Sequence, residues 1–438
     1  MLTLAGFSLI QTLQQYFPSL LTGGLIIGVG AAIGIYLSRG SRRPKPDLRI
    51  DSEDSTSSRL LASVTGEQRG RAEEEAVLAI TRSDMKYLVE YRPIGRTVAP
   101  VATKQLIDFD PLKRDRILRR LDDLTATANT IAQIARGTFQ ESRSSGATSA
   151  STMSELKSLG GVIFDYFLSA NVADMIMKGN GHHLVIETND TEIPWELMYD
   201  GSDFLATKHY SGRTLVVETE GPQVPSQPSR TELRTALIID PTESLPAARS
   251  EAELARVLKA FGTVDVYQGK KIDSLEGMRI LGRGGYDIIH YAGHAEFNTE
   301  QPTRSSLSFA DGTLTAGEMR RVIEKSRSRP RLVFVNACTS ATESSDTEIE
   351  YLGSKIGGLG SVFLKAGVLG YIGAVWSIFD QSAQFLASEF YSRALAGDTV
   401  GKALTQARVS TRLKYPNDLS WASFVLYGHP SVKILNGN

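Results

Sequence analysis

Cysteine is almost missing from this chain: there is one, Cys338, in 438 residues, beside six histidines and three tryptophans. A single thiol excludes an intramolecular disulfide framework, fits a reducing compartment and leaves Cys338 free to react. His182, His183, His209, His290, His294 and His429 form no metal-ligand grouping, and no His-Glu-x-x-His run occurs. No metal is therefore expected. The chain also lacks a Gly-x-Ser-x-Gly elbow and a phosphate-binding loop, and Gly358-Leu-Gly360 wants the third glycine of a dinucleotide fingerprint, so no cofactor is expected. Charge of one sign is absent as well. Forty-eight basic against 49 acidic residues leave a net charge of -1, and nothing in that balance argues for a nucleic-acid partner.

What is present is enough apolar material, 41% of residues, to bury a substantial core, and the length suggests about two domains at roughly 150 residues each. The run from Pro18 to Ser38 carries no charged side chain and is long enough for a transmembrane helix, followed at once by Arg39, Arg42, Arg43 and Lys45. That charge order predicts a single-pass protein of the inner membrane with its N-terminus outside and the rest cytoplasmic. A cleaved signal peptide and a buried core helix are the competing readings, and the glycines weaken the second. Gly24-xxx-Gly28 and Gly30-xxx-Gly34 offer a close-approach face for a homo-oligomer. The predicted division is an anchor over 1–40, a Pro- and Ser-rich juxtamembrane linker over 41–76, a first folded half over 77–228 and a second over 229–438.

Within the first half the pattern predicts strands at 77–81, 85–91 and 183–187. A long helix opens at Asp110-Pro111, and a flexible loop covers 142–154, followed by a helix to Leu168. The second half alternates regularly, with strands at 235–240, 263–267, 286–291, 331–336, 369–376 and 423–426 separated by helices. A hairpin around Asp311-Gly312 interrupts it. Strands without polar alternation, separated by helices, imply an α/β fold with a mostly parallel central sheet covered on both faces.

His294 follows one apolar run, in Asp287-Ile-Ile-His-Tyr-Ala-Gly-His294, and Cys338 follows another, in Leu332-Val-Phe-Val-Asn-Ala-Cys338. If those strands are neighbours, a base and a thiol stand together at the carboxyl end of a parallel sheet, where chemistry usually sits. The backbone N–H groups of Ala295 and Cys338 would then serve as oxyanion donors, with the small residues beside His294 leaving room for a substrate backbone. Cys338 alone also fits a small buried hydrophobe. His290, inside its strand, reads as structural. Asp380 reads either as a helix N-cap or as a pocket residue selecting a basic substrate side chain.

Several ordered segments resemble the CHAT domain, a caspase-like branch of the cysteine-protease clan that includes caspases, separase and gingipains. They are Ile193-Pro-Trp-Glu-Leu-Met-Tyr-Asp-Gly201, Leu245-Pro-Ala-Ala-Arg-Ser-Glu251, His290-Tyr-Ala-Gly-His294-Ala, Val335-Asn-Ala-Cys338-Thr-Ser, Phe363-Leu-Lys-Ala-Gly367, Gly373-Ala-Val-Trp376 with Asp380, and Trp421-Ala-Ser-Phe-Val-Leu-Tyr-Gly428-His-Pro. The resemblance implies a caspase-like three-layer sandwich preceded by a degenerate caspase-like half. It further implies hydrolysis of a protein substrate with Cys338 as nucleophile and His294 as general base and acid. Trp195 and Glu196 would pack between the halves and make an internal polar contact. Relatives of this kind act in microbial defence and programmed cell death, including on gasdermin-like substrates. The sequence departs from the caspase pattern Gln-Ala-Cys-x-Gly, reading Asn336-Ala-Cys338-Thr-Ser, and shows no tetratricopeptide repeats. The rival expectations are a non-catalytic membrane scaffold and a small-molecule amidase or acyl transferase using the same pair.

Overall fold

The computed structural model describes residues 74–435 apart from 95–102, 136–148, 180, 216–231, 270, 297, 299–300, 340–351, 375, 377–379 and 417. The predicted anchor at 18–38 with its oligomer face, the linker up to residue 73 and the boundary near residue 229 lie outside the described residues, and the first strand begins inside the predicted linker, at Glu75. Among those described, no helix is long and apolar enough to cross a membrane. This corrects the inner-membrane, single-pass location. The longest described helix has the length, 25 residues, but carries Lys113, Arg114, Arg116, Arg119 and Arg120 in its first half, which a hydrocarbon core would not accept.

The first part of the chain forms β1 (Glu75–Arg82), β2 (Lys86–Ile94), β3 (Thr103–Asp108), α1 (Pro111–Ala135), α2 (Ser149–Phe167), α3 (Ala170–Lys178), β4 (His183–Thr188), the short α4 (Leu205–Lys208) and β5 (Tyr210–Leu215). The second runs β6 (Leu233–Ile239), α5 (Leu254–Leu258), β7 (Gly262–Gln268), α6 (Ser274–Arg283), β8 (Ile288–Glu296), β9 (Ser306–Phe309), β10 (Gly312–Thr315), α7 (Ala316–Glu324) and β11 (Leu332–Thr339). It continues with α8 (Leu352–Lys365), β12 (Gly370–Ala374), α9 (Asp380–Leu395), α10 (Val400–Lys414), α11 (Ser420–Ser423) and β13 (Phe424–Gly428). Local chemistry sets the helix starts. The Asp110 carboxylate accepts from the Leu112 and Lys113 N–H groups at 3.0 and 3.2 Å, and Thr315 with Glu318 makes a reciprocal capping box for α7.

All thirteen strands of the described residues join one mixed sheet. β7, β6, β8, β11 and β12 run parallel. β13 then lies antiparallel to β12 and parallel to β5, and β5, β4 and β1 are parallel, closed by the antiparallel meander of β1, β2 and β3. Side chains alternate between the two faces of a strand, and this sheet uses both. Ala236 and Ile238 of β6, with Val333 and Val335 of β11, enter one core against α6, α7 and α8. Leu237 and Ile239, with Leu332 and Phe334, enter the opposite core against α5, α9 and α10. Two buried faces are why the strands read as continuous apolar runs.

The seam between the two parts is β5 against β13, where Arg213 and Tyr427 are register partners. Gly212 permits that approach, since a Cβ there would stand 2.5 Å from the Gly428 carbonyl. Glu196 sits beside this seam, and its neighbour Trp195 packs within the first part. Trp195 is fully buried, packs edge-on against Phe167 and donates from Nε1 to the Asp190 carbonyl at 2.8 Å. Arg213 donates to both oxygens of the buried Glu196 carboxylate, at 2.6 and 2.5 Å, and to the Thr191 and Ile193 carbonyls.

Three differences from the sequence expectations have physical causes. The segment read as a loop over 142–154 is helical from Ser149, because its Ser- and Ala-rich turn continues into the apolar face that packs on the core. β3, α3 and β5 were not anticipated from their polar or short patterns. β8 and β11 run past residues 291 and 336 to Glu296 and Thr339. That extension is mutual: Asn336 through Thr339 pair with Ala292 through Ala295, while β9 takes the other edge at Ala295 and Glu296.

Candidate active site

His294 and Cys338 are register partners on adjacent parallel strands near their carboxyl ends. They lie within the ladder rather than in loops beyond it. His294 is partly exposed, and its Nε2 lies 2.8 Å from the Ser244 hydroxyl. Its Nδ1 is buried and has no hydrogen-bond partner among the described residues. Burial pushes the imidazole pKa below its ordinary value, with the charge of Asp240 working in the opposite direction.

Ser244 belongs to the turn that leaves β6, a contribution the sequence reading did not include. Two non-glycine residues of that turn are left-handed, Asp240 at φ 44° and Glu243 at φ 58°. Aspartate tolerates this conformation because its carboxylate can bond locally. Here Asp240, wholly buried, accepts from the Leu245 N–H at 2.9 Å and from Arg249 Nε at 3.3 Å. Its own N–H donates to the Ala292 carbonyl of β8 at 2.8 Å. The turn is thus fastened to the strand that carries His294. Asp240-Pro241 at the carboxyl end of a parallel strand was the available signal, since Asp-Pro marks a turn.

Beside His294, the small residue Gly293 serves packing rather than an opening for substrate. A Cβ there would stand 2.5 Å from the Tyr291 hydroxyl, which lies within hydrogen-bond distance of the His294 and Ser308 carbonyls, at 2.8 and 2.7 Å. Ala295 is buried and pairs with both Thr339 and Leu307. Asp380 is the first residue of α9.

Further down the same strands lies a buried polar cluster. His290 Nε2 is 3.3 Å from Glu251 Oε2, and His290 Nδ1 is 3.1 Å from the Tyr391 hydroxyl. Asn336, two residues before Cys338, donates to Glu251 Oε1 at 2.5 Å, and the His290 ring stacks on Phe334 at 5.0 Å. Glu251 therefore ties the segment after β6 to β11 and lies against His290 of β8. The sequence reading gave His290 a structural role, and Glu251 is the neighbour that it did not reveal.

A family model described as the CHAT domain matches residues 157–429. No curated protein matches the chain. Among solved structures, it is similar to separase in the Saccharomyces cerevisiae separase–securin complex, at 12% identity and a TM-score of 0.51, covering 85% of this chain and 30% of that one. The chain thus spans less than a third of the separase chain, and the likeness is one of fold. A looser similarity, TM-score 0.39 at 10% identity, covers 67% of this chain and 69% of the Arg-specific cysteine proteinase gingipain R.

Proposed function

Because the chain belongs to the CHAT domain family, matched over residues 157–429, we propose that it is a cysteine endopeptidase whose nucleophile is Cys338 and whose general base and acid is His294. The observation that carries this reading is the parallel register of the two residues. Partners on neighbouring strands stand within reach of a shared substrate. The ring of His294 also suits the task, with one nitrogen held by Ser244 and the other uncommitted among the described residues.

In the proposed reaction His294 takes the Cys338 proton and the thiolate adds to the scissile carbonyl. The N–H groups of Ala295 and Cys338 stabilise the resulting oxyanion. His294 then protonates the leaving amine, and a water deprotonated by His294 hydrolyses the acyl-enzyme. Residues 229–438 would hold this chemistry. Residues 77–228, which have no cysteine, would form the structural half. Asp380 is proposed to select a basic side chain.

A peptide library cleaved by the parent, by Cys338→Ala and by Asp380→Ala tests the reading. Cleavage is expected from the parent and lost in Cys338→Ala, with the preference for basic residues lost in Asp380→Ala. Equal cleavage by the parent and Cys338→Ala would sink the protease assignment.

A further inference from the structure

We propose that Ser244 is a positioning residue that fixes the tautomer and orientation of the His294 ring, making the turn after β6 the third member of the site. The inference rests on the dyad reading above and adds to it a part that neither strand carries. Ser244 Oγ lies 2.8 Å from His294 Nε2 and 2.6 Å from the Thr242 hydroxyl. A serine hydroxyl has one proton and two lone pairs, so if that proton goes to Thr242, a lone pair faces the imidazole and Nε2 is the donor.

The other ring nitrogen favours the same arrangement. Nδ1 is buried without a partner among the described residues. A buried N–H without an acceptor is rarer and costlier than an acceptor left without a donor. The neutral ring therefore carries its proton on Nε2, donated to Ser244, and leaves the Nδ1 lone pair free to accept a proton.

The turn is built to hold this hydroxyl still. Asp240 anchors it on both sides, through the Leu245 N–H and Arg249 and through its own N–H to Ala292. Ser244 itself is exposed, so its replacement leaves the core untouched. It is placed for the ring and not for packing.

The test combines two measurements on the full chain: the ¹⁵N spectrum of selectively labelled histidine, and the rate at which iodoacetamide alkylates the single thiol at neutral pH. In the parent the neutral His294 ring is expected as the Nε2–H form. Ser244→Ala should give mixed tautomers and alkylation slowed about tenfold, in the range seen when a partner that orients a histidine is removed, with unchanged thermal unfolding. Ser244→Thr, which keeps the hydroxyl, should restore both. An Nδ1–H ring in the parent overturns the proposal. A normal rate and tautomer in Ser244→Ala, beside slowed alkylation in His294→Ala, overturns the role of Ser244 and leaves the dyad standing. An unchanged rate in His294→Ala removes the dyad and the proposal together.

Discussion

Each part of the sheet holds a histidine that burial drives toward its neutral form, and the two differ in what is left to the ring. His209, between α4 and β5, is fully enclosed. Burial, reinforced by the neighbouring His182 and Lys208, pushes its pKa down to about 3, and its backbone is tied to α10 through the Thr405 hydroxyl at 2.7 Å. His294 is lowered for the same first reason but stays partly exposed, and only one of its nitrogens is engaged. Desolvation by itself yields a ring that does not titrate in the working range. Partial exposure with one nitrogen hydrogen-bonded leaves a ring able to serve as the proposed base. The buried carboxylates draw the same distinction. Glu196 and Arg213 satisfy each other at the β5–β13 seam, while Glu251 accepts from Asn336 and stands 3.3 Å from His290 below the site.

The sharpest way to break this contrast is to exchange what each element is for. His294→Ala should lower peptide cleavage by about 10²–10⁴-fold while thermal unfolding stays near that of the parent. A comparable fall in stability would mean that His294 is structural, like His209. Glu196→Ala should do the reverse, because it strands the Arg213 charge in the core. A loss of about 3–5 kcal/mol is expected on denaturant unfolding, and a neutral result would remove the seam from the account. Glu251→Ala lies between them. Leaving Asn336 without its acceptor and removing the carboxylate beside His290 should cost about 1–3 kcal/mol and reduce cleavage less than His294→Ala does, read from unfolding curves and rates on one preparation.

The smallest effect is on pH dependence. The folded pKa of His209 lies below its unfolded value of about 6.5, so the unfolded chain binds the extra proton between the two values. The stability that neutral His209 supports is complete above pH ~6.5, falls as the pH drops, and is gone near the folded value of about 3. His294, lowered as well, adds to the same slope. His209→Leu should flatten the acid limb of stability against pH, and a limb of unchanged slope would remove His209 from the comparison.

Much of the second part was legible because its strands are buried on both faces. Apolar runs such as Leu332 to Val335, helices between them, and the Asp311-Gly312 turn give the order of elements without ambiguity. β5, Tyr210–Leu215, was not legible. Its Ser, Gly and Arg read as loop, and it is a strand because it pairs in parallel with β4 along its length, with the buried Glu196 partner and the close approach at Gly212 beside it. The two strand-end residues could be singled out in the sequence, but their pairing depends on β8 and β11 extending each other. Ser244 was hidden for a related reason. It meets His294 across 50 residues of chain, from an exposed turn with no apolar period to mark it.

His294 is proposed to set the reactivity of Cys338. The chain has one cysteine, so alkylation reports on that thiol alone. Its rate measured against pH should show, in the parent, a midpoint well below the ordinary thiol value of about 8.5, and in His294→Ala a midpoint at or above it. Coincident midpoints in the two proteins would contradict the account.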